Sequence, residues 1–282
     1  MTARLTQLSR NKLLFALLCP LLAVLAGMAE CESNDYMGSK LAWFEDFRTS
    51  LTSKGLKHFA WNAPINRIPV GSATGRWPAG ITHVAENVYV AGMNAAYQAE
   101  NLWPAPAVGQ YLFGRMLVVN SLPSDANTGG DHGFQSNALA PLPWFWRIYG
   151  SDVFTRVPNT FSLETTTWDH GNVTELEIAA VPKDVVIRLE WRAQRTSNST
   201  AVYSARVYNN ETGALLGEIS GLTQRGVTNA HLREYLFGMS GQAGSSYNGG
   251  AVYWGALAFR VSGHADDWIG PYPVAGVEQP LR

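Results

Sequence analysis

The sequence predicts an all-β protein folded as an antiparallel sandwich, and three observations carry that reading. Between Val173 and Ser220, strand-length segments follow one another with apolar and polar residues in alternation. A period of two sends one set of side chains to a core and the other to water. Flanking runs rich in β-branched and aromatic residues, Gln110–Asn120 and Ala251–Ser262, are separated by stretches dense in Gly, Pro and Asn, the punctuation of strands and turns. The chain of 282 residues is 46% hydrophobic and only 15% charged, which excludes disorder and suits a large sheet core.

Taken in order, the chain opens with a targeting signature. Arg4, Arg10 and Lys12 precede the uncharged apolar run Leu13–Gly27, and Gly27-Met28-Ala29 offers small residues for cleavage after Ala29. A retained membrane anchor is the competing reading, but the run is short for a bilayer and Pro20 interrupts it. Residues 1–29 are therefore expected to be a signal peptide and 30–282 a single exported domain with no membrane span. Cys31 suggests lipoprotein processing, yet the charged Glu30 before it is a poor lead-in. With Cys19 inside the signal, Cys31 has no internal disulfide partner. The net charge of −1 lacks the positive footprint that nucleic acid requires.

Leu41–Gly55 places Trp43, Phe44, Phe47 and Leu51 at helical spacing with Gly55 as a stop. It is expected as a short helix, with a strand over Ala42–Phe47 as the alternative. Phe59–Gly80 reads as a long irregular loop and Asn87–Val90 as a strand end. Gln110–Asn120 is a strand, and Ser121–Pro143 a long aperiodic loop of the kind that carries function. Pro143–Tyr149 resumes as a strand. Val173–Val181 and Val185–Arg195 are strands, and Thr200–Tyr208, the Asn209–Gly213 turn and Ala214–Ser220 form a hairpin. Tyr235–Ser240 and Ala251–Ser262 are late strands, and Asp267–Tyr272 closes the domain.

This order of elements resembles concanavalin A-like jelly rolls. Tyr111–Asn120, a Gly-rich loop, Pro143–Tyr149 and Glu175-Leu176-Glu177-Ile178 are similar to the central run of family 16 glycoside hydrolases. The hairpin around Tyr208 and the strand Ala251–Ser262 with its Trp-Ile-Gly-Pro tail look like laminin G-like domains. Ala205–Asn209 is similar to a segment of family 7 alginate lyases. The resemblance spans residues 105–272 and implies a two-sheet antiparallel jelly roll carrying one or two short helices. Such folds host many activities, so function has to be argued from the site.

Glu175 and Glu177 lie two apart on one strand, where paired carboxylates can serve a retaining glycosidase. By the resemblance Glu175 is the nucleophile, but the position expected to hold the acid is Ala180. Solvated strand charges are the plainer reading. A lyase needs a cation, a base and an acid, types that Arg115, Gln135, His132 and Tyr208 supply, although the family 7 motifs around them are missing. Asp125, Asn127, Thr128 and Asp131 gather oxygen ligands suited to calcium around Gly129-Gly130, in a spacing that also fits ordinary turn chemistry. Trp144 and Trp146 share a face, and Trp77, Trp103 and Trp168 fall in loops, where flat rings can meet sugar C–H groups.

These features point to an exported protein that recognises a polysaccharide or cell-surface glycan. The alternatives are a polysaccharide lyase or glycoside hydrolase with a non-standard site, and a structural or virion-surface protein. Two ligand locations compete. One is a sheet face made of Glu175, Glu177, Arg188, Glu190, Arg192, Ser204, Arg206 and Tyr208. The other, favoured because a long loop lies beside paired Trp, is a rim of Asp125, Asp131, His132, Gln135, Trp144 and Trp146. On the first sheet, Ile187, Leu189 and Trp191 are expected in the core, with Arg188, Glu190 and Arg192 in water.

Overall fold

The structure, a computed structural model, describes residues 41–52, 54–60, 65–90, 94–122, 132–135, 144–149, 160–169, 172–240 and 248–273. The expected signal peptide and Asp125, Asn127 and Asp131 lie outside them. The strands are β1 (Trp43–Glu45), β2 (Lys57–Ala60), β3 (Ile65–Pro69), β4 (His83–Val90), β5 (Asn94–Glu100), β6 (Tyr111–Asn120), β7 (His132–Gln135) and β8 (Trp144–Tyr149). They continue as β9 (Thr160–Asp169), β10 (Asn172–Pro182), β11 (Ile187–Arg195), β12 (Thr200–Asn209), β13 (Leu215–Arg225), β14 (Glu234–Ser240) and β15 (Asn248–Ser262).

All pairings are antiparallel and build two sheets. The first runs β13-β12-β11-β6-β15-β4-β3, with β1 also on β15; the second runs β10-β9-β8-β7-β14-β5-β2. The chain passes repeatedly from one sheet to the other, as a jelly roll requires. Between the sheets lie Leu112, Met116, Val118, Leu189, Trp191, Tyr203 and Val207 from the first and Tyr97, Tyr235 and Phe237 from the second. Aromatic packing ties the layers where Trp191 stacks on Tyr235 at 5.0 Å, and it docks the β5–β6 connection where Trp103 stacks on Phe259 at 3.9 Å. Gly114 makes room for this, since a Cβ there would come within 2.1 Å of the Trp191 ring.

Several expectations need correction. Leu41–Gly55 is not a helix: Trp43–Glu45 pairs with Leu257–Phe259, which satisfies its backbone in the sheet. The one helical turn among the described residues is the 3-10 turn Val70–Ser72. The presumed loop Phe59–Gly80 contains β3, an edge strand ending at Pro69, where the missing N–H costs no ladder bond. The loop Ser121–Pro143 contains β7. Trp103 is not a loop ring open to ligand but a core residue whose Nε1 donates to Leu232 O at 2.9 Å.

The largest correction concerns the first sheet's outward face. Ile187, Leu189 and Trp191 are in the core as expected, but Arg188 and Glu190 are buried too, at 9% and 2% exposure, as is Ser204. The chain itself covers them. Ile269 and Tyr272 pack onto this face with Phe113, Leu117, Val119 and Ala258, and Ile81, Val84 and Trp77 seal its other side. Both faces of β6 and of Ile187–Trp191 in β11 are thereby removed from water, which explains the almost continuous apolar run of β6. Moreover, β10 belongs to the second sheet, so Glu175 and Glu177 never share a sheet with Arg188, Arg192 and Arg206.

Candidate functional site

Charged groups on the outward face of the first sheet form a cross-strand row, buried at Arg115 and Glu190 and open to water at Arg206 and Glu218. Register sets Glu190 opposite Arg115 on β6 and opposite Arg206 on β12, and Arg206 opposite Glu218 on β13. Arg115, with no exposed surface, donates through Nε and Nη2 to Ala256 O and through Nη1 to Gly270 O. Arg188 Nε lies 2.9 Å from Glu190 Oε1, and the Gly270 N–H donates to the same carboxylate. Burial pushes the Glu190 carboxyl above its ordinary range, and Arg188, Arg115 and Arg206 offset part of that rise. These groups clamp residues 265–272 to the sheet. Arg192 adds a bond to Ala265 O, and Trp268 lies over Arg206 at 4.4 Å and Arg192 at 5.2 Å. Arg115 and Arg192 thus hold the fold's own backbone, while Arg188 holds the Glu190 carboxylate.

Where this cover meets the β12–β13 turn it leaves a shallow cleft of about 250 Å³, lined by Arg76, Trp77, Pro78, Asn210, Glu211, Pro271 and Tyr272. Each wall is fixed by local chemistry. The Trp77 Nε1 donates to Thr74 O at 2.8 Å, and its ring rests against Gly255, where a Cβ would come within 2.7 Å. Tyr272 stacks on Phe44 with Arg115 5.8 Å from its ring centre. The turn is an Asx turn: Asn209 Oδ1 accepts from the N–H groups of Glu211 and Thr212, Gly213 takes φ 73°, and Asn210 N–H donates to Val186 O. Arg76 and Glu211 are exposed, and among the described residues neither forms an ion pair. Tyr208, two residues before Asn210, lies 4.2 Å from the Arg188 guanidinium.

The remaining expected site residues lie on the second sheet. His132 and Gln135 are in β7, opposite Ile148 and Phe145. Trp144 and Trp146 are in β8, opposite Thr167 and Thr165 of β9, and Trp146 is also opposite Phe134. Glu175 and Glu177 are in β10, opposite Thr166 and Glu164. The structure therefore divides the expected residues between two sheets rather than gathering them. Further along the second sheet, Gln98 Nε2 donates to Glu234 Oε1 at 2.5 Å, and Lys57 pairs with Glu100 at 2.8 Å. Among the described residues no three His, Cys, Asp or Glu side chains are grouped to hold a metal ion. Nor is any helix there long and apolar enough to cross a membrane.

Sequence reading missed the roles of Arg76, Asn210, Glu211 and Tyr272. Each sits in a turn without periodicity, and only the pairing of distant strands brings the turns together.

No protein-family profile matches the chain, and no curated protein sequence matches it. Solved structures do. An endo-β-1,4-glucuronan lyase from the fungus Trichoderma reesei superposes with a TM-score of 0.51 at 10% identity, over 78% of this chain and 95% of that one. The PL-14 alginate lyase from Aplysia kurodai gives 0.49 at 10% identity, over 78% and 98%. The CBM2 module of the Lactobacillus casei BL23 phage J-1 evolved Dit gives 0.42 at 12% identity, over 78% and 94%. The fold is the β jelly roll of such polysaccharide lyases.

Proposed function

We propose that the protein is an exported glycan-recognition jelly roll and that the cleft beside Trp77 is where it holds sugar. The observation that carries this is a pinned aromatic floor flanked by polar side chains that form no ion pair among the described residues: Trp77 and Tyr272 below, Arg76, Asn210 and Glu211 at the sides. Sugars present apolar C–H faces and a rim of hydroxyls. Rigid rings bury the former at little entropic cost, and charged or amide groups bond the latter. The apolar run Leu13–Gly27 and the cleavage signature after it support export.

Calorimetric titration against a panel of neutral and acidic polysaccharides tests the proposal. Arg76→Ala and Trp77→Phe should each weaken binding at least tenfold while leaving the circular dichroism spectrum unchanged. Binding that survives both but is lost in Trp144→Ala or Trp146→Ala would move the site to the second sheet. A lyase is the second reading, motivated by the Tyr208 ring packed against Arg188, two residues along the chain from Asn210 of the cleft. It predicts ultraviolet absorbance from unsaturated products, abolished by Tyr208→Phe.

A further inference from the structure

We propose that the cleft takes a single uncharged sugar ring, held through neighbouring hydroxyls between Arg76 and Glu211, and that it discriminates against uronates. This rests on the cleft being the glycan site and adds the class of sugar. Size comes first. About 250 Å³ lies below the roughly 300–1,000 Å³ of pockets that enclose drug-sized ligands, so it suits one ring.

Charge comes second. The cleft's two ionised side chains, Arg76 and Glu211, have opposite signs and cancel, and Asn210 is neutral. Two further cations near its walls are committed: Arg115, 5.8 Å from the Tyr272 ring centre, donates to Ala256 O and Gly270 O, and Arg188 pairs with Glu190 and packs on Tyr208. Among the described residues no surplus positive charge is left to neutralise a sugar carboxylate, and the Glu211 carboxylate would face it as a like charge. A pair of hydroxyls has the opposite needs. One O–H donates to Glu211, whose ionised oxygens only accept, while the neighbouring oxygen accepts from Arg76, which only donates. Asn210 can do either, so it tolerates either hydroxyl geometry.

Third, the floor is already built. Trp77 is held by Thr74 O and by the space at Gly255, and Tyr272 by Phe44, so little ordering remains to oppose binding.

The test titrates the full mature chain with gluco- and manno-oligosaccharides and with glucurono-oligosaccharides of equal length, at low and moderate salt. The wild type should bind a neutral series at least tenfold more tightly than the uronate, with little salt dependence. Glu211→Gln removes the repelling charge, so it should weaken neutral binding severalfold and raise uronate affinity about tenfold. Arg76→Ala should weaken both. Tighter binding of the uronate by the wild type, or an unchanged preference in Glu211→Gln, overturns the inference while leaving glycan binding standing. Binding of neither series, or binding indifferent to Arg76→Ala and Trp77→Phe, overturns the underlying site as well.

Discussion

Replacing Glu190 with Ala tests whether the outward face of the first sheet is as dry as the packing of residues 265–272 requires. The Glu190 side chain is 3% exposed and that of its partner Arg188 10%. Removing the carboxylate leaves Arg188 buried without its partner and takes from Gly270 an acceptor for its N–H. Breaking a buried pair in this way costs about 3–5 kcal/mol. Burial raises the Glu190 carboxyl, so its ionised form is already held at a cost, and the lower end, about 3 kcal/mol, is expected.

Two comparisons give that figure meaning. Leu189→Ala on the opposite face opens a core cavity and should cost about 2–5 kcal/mol. Glu218→Ala breaks the Arg206–Glu218 contact, 3.6 Å long between side chains 37% and 59% exposed, and should cost no more than about 1 kcal/mol. Urea unfolding followed by tryptophan fluorescence, with unchanged slope, reads all three. Should Glu190→Ala match Glu218→Ala instead of Leu189→Ala, the face is wet and the clamp on Gly270 contributes nothing to stability.

Three further outcomes are expected. Glu45 is fully buried and its carboxyl is pushed up from 4.5 to about 7, chiefly by burial. Its folded value lies above its unfolded one, so its contribution is complete below about pH 4.5 and is lost as pH rises through 7, at most about 3 kcal/mol; Glu45→Gln should flatten urea midpoints measured between pH 5 and 8. Gly114→Ala drives a methyl into Trp191 and should cost about 1–3 kcal/mol by overpacking, with a changed near-ultraviolet circular dichroism spectrum; an unchanged spectrum would mean that the ring is not where the core needs it. Finally, mass spectrometry of the protein recovered from outside the cell should give a chain beginning at Glu30, and an intact Met1 would refute cleavage after Ala29.

How much of this was readable beforehand differs from element to element, for physical reasons. Period-two patterns in β10, β11 and β12 and the apolar runs of β6 and β15 identified those strands closely. β5 (NAAYQAE) and β9 (TFSLETTTWD) lack such runs and acquire strand structure from their neighbours' ladders. Alternation also says only that two faces differ, not that one is wet. Arg188 and Glu190 read as solvent-facing because polar residues that meet a distant strap and polar residues that meet water produce the same pattern. The covering segment, residues 265–272, lies some eighty residues away, and nothing local announces it.

The sheet assignment failed for a related reason. Four residues separate β10 from β11, a spacing that suggests a hairpin, yet β10 pairs with β9 while β11 lies between β6 and β12. Pro182 ends β10, and Asp184 turns the chain at φ 62° with its N–H on Asn120 O. That corner carries the chain from the second sheet to the first. It also separates Glu175 and Glu177 from every guanidinium once grouped with them, and it leaves Val186 O to anchor the Asn210 turn. The move that dismantles the expected groove is therefore the one that helps to build the cleft.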